Sequence, residues 1–264
     1  MPLPPSPTTT IAAAGGGLEL PLIGLGTWQA AGEVAHRAVL DALELGYRLV
    51  DTATMYGNER EVGAAVRDSG LERGEVVVTT KLRQNQAGRE REVVRESLRL
   101  TGLDVLDLWL VHWPPGGQAR PDTWERFLEA REQGLVRAVG VSNYSVAQID
   151  ELIAATGVAP AVNQVRWGPA LHDEGVLRAH AERGVVLQGY SPFKATDLDA
   201  APIAAAARAH GVSTRQVVVR WHLQHGVVVI PKSTDRTRMA ENLDVLGFEL
   251  SGGELAAIDA LGRA

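Results

Sequence analysis

Eight short runs rich in Val, Leu and Ile recur along the chain with helix-periodic segments between them, and this alternation constrains the fold more than any other feature. The runs are Leu22 to Thr27, Arg48 to Ala53, Val76 to Lys81, Leu106 to His112, Ala138 to Asn143, Ala161 to Val165, Val185 to Tyr190 and Val227 to Lys232. Such alternation is the mark of βαβ units and a parallel sheet. The runs are apolar almost throughout, so both faces of that sheet should be covered. Eight of them in 264 residues predict an α/β fold closed as a (β/α)8 TIM barrel, which typically takes about 250 residues. Amphipathic segments such as Glu33 to Leu45, Arg89 to Leu100, Asp122 to Gln133 and Val176 to Arg183 supply the outer layer. Gly46, Gly70, Gly134 and Gly184 fall where a helix stops in a left-handed turn. An open doubly wound sheet fits less well, because Gly24-Leu25-Gly26-Thr27-Trp28 lacks the third glycine and the helix start of a dinucleotide fingerprint.

Two additions to the barrel are expected. Thr10 to Leu20, with the Gly15-Gly16-Gly17 turn, reads as a short N-terminal β-hairpin capping the bottom, with residues 1–17 forming its tail. Ser251 to Leu261 reads as an extra C-terminal helix, with Ser251 as N-cap and Glu254 completing a capping box. No linker or charge block divides the chain, so residues 1–264 are expected to form a single domain. The absence of Cys removes disulfides, thiolate metal sites and thiol catalysis, and no metal is expected. A net charge of -6 argues against a broad nucleic-acid or anionic-membrane footprint. The first residues carry no basic n-region, and no apolar run reaches the roughly 18 residues of a membrane span. A cytoplasmic monomer acting on a small molecule is therefore expected.

Chemistry is sought where the strands of a parallel barrel end, since all eight C-termini open onto one face. Asp51, Lys81, His112, Ser142, Asn143, Gln164, Tyr190 and Lys232 all stand at such ends, and Tyr56 lies shortly after Asp51. Tyr is a protonated phenol near neutrality. A Lys cation beside it would lower its pKa, Asp51 would hold that cation, and His112 would orient a carbonyl. Taken singly, each residue also fits a structural ion pair or a packing contact. Trp28 and Trp113, just past the first and fourth strands, could wall an apolar pocket. The loops Trp113 to Pro121 and Pro192 to Pro202 are expected to border the substrate.

The stretches Asp51-Thr52-Ala53-x-x-Tyr56-Gly57-Asn58-Glu59, Thr80-Lys81, Asp107-Leu108-x-Leu110-Val111-His112-Trp113-Pro114, Gly140-Val141-Ser142-Asn143, Asn163-Gln164-Val165, Tyr190-Ser191-Pro192 and Ile230-Pro231-Lys232-Ser233 resemble those of the aldo-keto reductases, over about residues 20 to 250. The resemblance implies NADPH-dependent reduction of aldehydes or ketones, with Asp51, Tyr56, Lys81 and His112 as catalytic tetrad and Tyr56 as general acid. It implies that Ser142, Asn143 and Gln164 hold the nicotinamide carboxamide, that Tyr190 stacks on the ring, and that Gly26, Thr27 and Ser191 line the cofactor's path. Glu241 and Asn242 would meet the adenine side. Lys232, Ser233 and Arg238 make a compact site for the 2′-phosphate, which favours NADPH over NADH. Trp28, Trp113, Tyr56 and His112 would contact substrate. Two other classes stay open: a lyase or aldolase forming a Schiff base on Lys81, and a regulatory NADP-binding protein.

The chain departs from the family pattern at Arg166-Trp167-Gly168, where an acid, an aromatic and a His are common, and its segment Phe193 to Asp199 is short. A less complete clamp over the cofactor is expected. Ending at Ala264, the sequence shows no long substrate-selecting tail, and an open, tolerant pocket is anticipated.

Overall fold

A computed structural model describes residues 7–11 and 17–263. Two antiparallel strands come first, β1 (Thr8–Ile11) and β2 (Leu18–Pro21), paired from Thr8 with Pro21 to Ile11 with Leu18. The expected hairpin is thus present, although it begins earlier and runs one residue further than Thr10 to Leu20; Gly15 and Gly16 lie outside the described residues. Ile11 and Leu20 are fully buried. Gly17, Leu18 and Glu19 share a groove with Val77 and Val136, near the starts of barrel strands, so the hairpin closes the bottom.

Eight parallel strands follow: β3 (Leu25–Gly26), β4 (Leu49–Asp51), β5 (Val77–Leu82), β6 (Leu106–Val111), β7 (Val136–Ser142), β8 (Val162–Arg166), β9 (Val186–Tyr190) and β10 (Val228–Ile230). Each hydrogen-bonds to its neighbours in chain order. Isolated parallel bridges between Ile23 and Val229 and between Gly26 and Lys232 join the first strand to the last. The predicted TIM barrel is therefore what forms. The pairing of β3 and of β4 is shorter than the apolar runs that contain them, whereas β7 starts two residues before Ala138.

Helices α1 (Gly32–Leu45), α2 (Glu59–Asp68), α3 (Glu90–Thr101), α4 (Pro121–Glu132), α5 (Val146–Thr156) and α6 (Glu174–Glu182) each connect consecutive barrel strands. The β9-to-β10 crossover carries two, α7 (Ala201–His210) and α8 (Thr214–Gln224), and α9 (Arg236–Leu243) follows β10. The extra C-terminal helix is α10 (Gly252–Asp259), with the Ser251 and Glu254 capping box in place. Gly46 and other αL glycines stop helices as expected.

The strands bury both faces. β5 and β6 have no exposed residue, and Trp109 of β6 stacks on Phe127 of α4 at 3.7 Å and 6°. Truncating a buried aromatic of this kind typically costs about 3–5 kcal/mol. Among the described residues, no helix is long and apolar enough to cross a membrane.

Candidate active site

Lys81 is fully buried near the end of β5, where its ammonium donates to Asp51 Oδ1 at 2.5 Å and to the Thr52 carbonyl at 2.8 Å. Asp51 Oδ2 accepts from Gln164 Nε2 at 2.7 Å, and the same amide nitrogen donates to Gln188 Oε1 at 3.0 Å. The buried ion pair is thus satisfied on both sides, as a dry site demands. Tyr56 sits at the end of a single helical turn, Thr54 to Tyr56, closed by Gly57 at φ 66°. Thr54 pins that turn by donating to the Lys81 carbonyl at 3.0 Å. The Tyr56 ring centroid lies 5.1 Å from Lys81 Nζ and 5.8 Å from the His112 ring, which it meets edge-on at 76°. The four residues converge, and Asn58, donating to the carbonyls of Thr27 and Ala30, ties the first strand's loop to the same group.

Their protonation differs from the sequence expectation in one respect. Burial raises the Asp51 carboxyl and lowers the Lys81 ammonium, and their mutual attraction opposes both shifts. Tyr56 is pushed well above the ordinary phenol range, first by burial and then by the Asp51 charge. The expected acidification by Lys81 does not appear: burial of the phenol sets the direction, and the Asp51 carboxylate paired with that ammonium adds to the rise. Tyr56 therefore carries its proton throughout the neutral range. His112 is held down to about 3 by burial, with Lys81 and Arg83 adding repulsion, so it is a neutral imidazole.

This depression has a measurable consequence. An unfolded His titrates near 6.5, so between about 6.5 and 3 the unfolded chain binds more protons than the folded one, and stability rises with pH across that window. His112→Asn should flatten the loss of stability on acidification from pH 6.5 to 4, followed by denaturant midpoints. An unchanged slope would show that His112 titrates normally in the fold.

Above the group lies a cavity of about 410 Å3 lined by Gly26, Trp28, Asp51, Met55, Tyr56, His112, Trp113, Asn143, Gln164, Arg166, Tyr190, Ser191, Lys194, Ile230 and Lys232. Trp28 and Trp113, 44% and 43% exposed, are among its lining residues. Lys81 is not on its wall, which weighs against a Schiff base there.

The expected cofactor residues form a linked set on successive strand ends. Ser142 Oγ donates to the Gln164 carbonyl at 2.7 Å. Asn143 Nδ2 donates to the His112 carbonyl at 3.1 Å, and Asn143 Oδ1 accepts from the Tyr190 hydroxyl at 3.0 Å. Asn143 and Ser191 hold φ of 62° and 53°, a left-handed conformation that non-glycine residues adopt at a cost of roughly 1–3 kcal/mol and that collects at functional sites. Thr27 is buried, its hydroxyl donating to the Asp51 carbonyl at 2.9 Å. Gly26 is pressed against the last strand, where an added Cβ would come within 3.0 Å of the Ile230 carbonyl.

At the Lys232 end, Ser233 Oγ donates to the Asp235 carbonyl at 3.1 Å. Arg236 is committed to Asp41 and Glu44 of α1, both at 2.8 Å. Arg238 and Glu241 are exposed on α9, and the Arg238 side chain makes no ion pair among the described residues. Asn242 is buried and directed at the Tyr47 hydroxyl.

The Arg166-Trp167-Gly168 departure supports the short loop after β9. Arg166 donates to the Lys194 carbonyl at 2.7 Å, and a Cβ on Gly168 would lie 2.6 Å from the Ala195 carbonyl, so only glycine fits under that loop. Lys194 in turn lies 5.3 Å over the Trp28 ring. Met55, Lys194 and Ile230 line the cavity without having been given a site role from sequence; their neighbours Tyr56, Pro192 and Lys232 were the available signal. From the loop Trp113 to Pro121, only Trp113 reaches the wall.

A sequence model described as the aldo/keto reductase family matches residues 22–263. The chain is 43% identical over 245 residues to 2,5-diketo-D-gluconic acid reductase B of a Corynebacterium species, covering 91% of this chain and 88% of that protein. The aldo/keto reductase of Brucella melitensis superposes with a TM-score of 0.91 at 35% identity, over 97% of this chain and 99% of that one. A Bombyx mori aldo-keto reductase solved in complex with NADP superposes at 0.88 and 30% identity, over 98% and 93%.

Proposed function

Because the chain belongs to the aldo-keto reductase family and so to the oxidoreductases, we propose that it reduces small aldehydes, α-dicarbonyls or keto sugars to alcohols with NADPH. The observation that carries this reading is the grouping of Tyr56, His112 and the buried Lys81–Asp51 pair at the base of one cavity. Support also comes from the relative named for a diketo acid and from the silkworm enzyme bound to NADP.

The lining fits such a cofactor. Asn143, Gln164 and Tyr190 offer amide and aromatic surface beside His112, and the groove continues past Gly26 and Ser191 to Lys232. Ser142, Asn143 and Gln164 would hold the carboxamide, Tyr190 would cover the ring, and Gly26 and Thr27 would flank the dinucleotide. Lys232, Ser233 and Arg238 would hold the 2′-phosphate, and Glu241 and Asn242 the adenine side. A bound reduced nicotinamide supplies a hydride for the carbonyl carbon. His112, neutral, offers a ring N–H to the substrate oxygen and fixes its direction. Tyr56 delivers its proton to that oxygen, and the phenolate left behind faces the Lys81 ammonium, 5.1 Å from the ring centroid. Trp28 and Trp113 form the apolar walls for the substrate. Residues 1–264 act as one domain, a cytoplasmic monomer whose partner is the carbonyl compound.

Loss of NADPH absorbance is the test, with an aldehyde, dicarbonyl and keto-sugar panel run in parallel with NADH. Turnover with NADPH is expected; tight NADPH binding without turnover on any carbonyl would instead support a binding protein. Arg238→Ala should raise the KM for NADPH by about 10- to 100-fold, the worth of one charge-assisted hydrogen-bonded contact, and leave that for NADH nearly unchanged. An unaltered NADPH-to-NADH ratio would remove Arg238 from the phosphate site.

A further inference from the structure

We infer that His172, His225 and Asp259 form a binding site for a divalent transition metal of the zinc class, outside the active-site cavity. The three residues come from distant parts of the chain: His172 follows a helical turn at Pro169–Leu171, His225 ends α8, and Asp259 is the last residue of α10. One ligand atom from each lies within 4.8 Å of the other two. His225 Nε2 is 2.9 Å from Asp259 Oδ1, and His172 Nε2 is 3.8 Å from the same oxygen. Zinc holds imidazole nitrogen and carboxylate oxygen at about 2.0–2.2 Å in a tetrahedron, which sets neighbouring ligand atoms roughly 3.4 Å apart. The two separations to Asp259 straddle that value and all three ligand atoms lie within 4.8 Å of one another, so shifts of up to about 1.4 Å complete the geometry.

The surroundings hold these groups in place. Trp221 Nε1 donates to Asp259 Oδ1 at 2.7 Å, the kind of outer support that fixes a ligating carboxylate. The His172 ring packs 5.0 Å from that of His225 and 5.5 Å from that of Trp221. The final turn is pressed onto His172, since a Cβ on Gly262 would come within 2.3 Å of the His172 carbonyl. Two imidazoles and one carboxylate suit zinc, nickel or copper and not calcium or magnesium, which require mainly oxygen. On binding, the His225 Nε2 proton moves to Nδ1 and the metal takes its place beside the carboxylate. None of the three residues lines the active-site cavity. The metal would join the C-terminal helix to the loop that carries Trp167 and Gly168.

The test is calorimetric titration of chelator-treated full-length protein with zinc chloride, alongside His225→Gln, Asp259→Asn and His36→Gln, each checked for fold by circular dichroism. One equivalent should bind the parent and raise its melting temperature. His225→Gln and Asp259→Asn should weaken binding by more than the roughly 10–100-fold that loss of an outer-shell partner costs. His36→Gln, altering a His–Asp68 pair on α1 and α2, should bind as the parent does. Absence of stoichiometric binding, or parental affinity in the two ligand variants, would overturn the site. X-ray absorption on the zinc-loaded parent decides independently of any variant: two imidazoles in the metal's shell are expected, and a shell without them refutes the assignment.

Discussion

Tyr56→Phe should lower kcat for carbonyl reduction by about a hundred- to ten-thousand-fold, the range that a positioned proton donor contributes, while leaving the affinity for NADPH within about twofold by the same argument. The substitution removes one oxygen from a ring that packs against His112 and lies near Lys81, so the cavity keeps its shape. Burial and the Asp51 charge keep the phenol protonated in the resting protein, so the donor is always loaded, and the pull on its proton comes from the charge that develops on the substrate oxygen. Stopped-flow NADPH oxidation and fluorescence binding together check this. A parallel loss of cofactor affinity and turnover would mean that Tyr56 shapes the cavity and is no acid.

The second large effect concerns stability. Lys81→Met should cost about 3–5 kcal/mol, because it leaves the Asp51 carboxylate buried and facing only Gln164. Adding Asp51→Asn should restore most of that loss, since a neutral amide beside an apolar chain has no unpaired charge to carry. Activity should stay lost in both variants. Denaturant titrations of the two give the answer. If the double variant is as unstable as the single, the pair matters for packing rather than for charge.

These two expectations rest on unequal amounts of sequence. The barrel was legible because parallel strands covered on both faces must be apolar along their whole length, and the runs holding Leu49, Val78, Leu108 and Val139 are so. Strand ends made Asp51, Lys81 and His112 visible. The sign of the Tyr56 shift was not, because it is set first by how deeply the folded chain buries the phenol and then by the Asp51 charge beside it, neither of which a strand-end position reveals. The support given by Arg166 and Gly168 to the loop after β9 was equally hidden; sequence showed only a departure from pattern, whereas the contact joins residues about one βα unit apart. His172, His225 and Asp259 share no spacing motif, and only the closure of α10 onto the barrel brings them together.

The seam between the first and last barrel strands consists of two isolated bridges, one of them Gly26 with Lys232. That joint also forms part of the cavity rim. A growing polypeptide on the ribosome can therefore assemble most of the sheet while still lacking a finished cavity rim. Closure of that rim has to wait until the tenth strand has left the exit tunnel, and backbone hydrogen bonds from Gly24 to Val229, Gly26 to Pro231 and Val229 to Leu22 then hold the join.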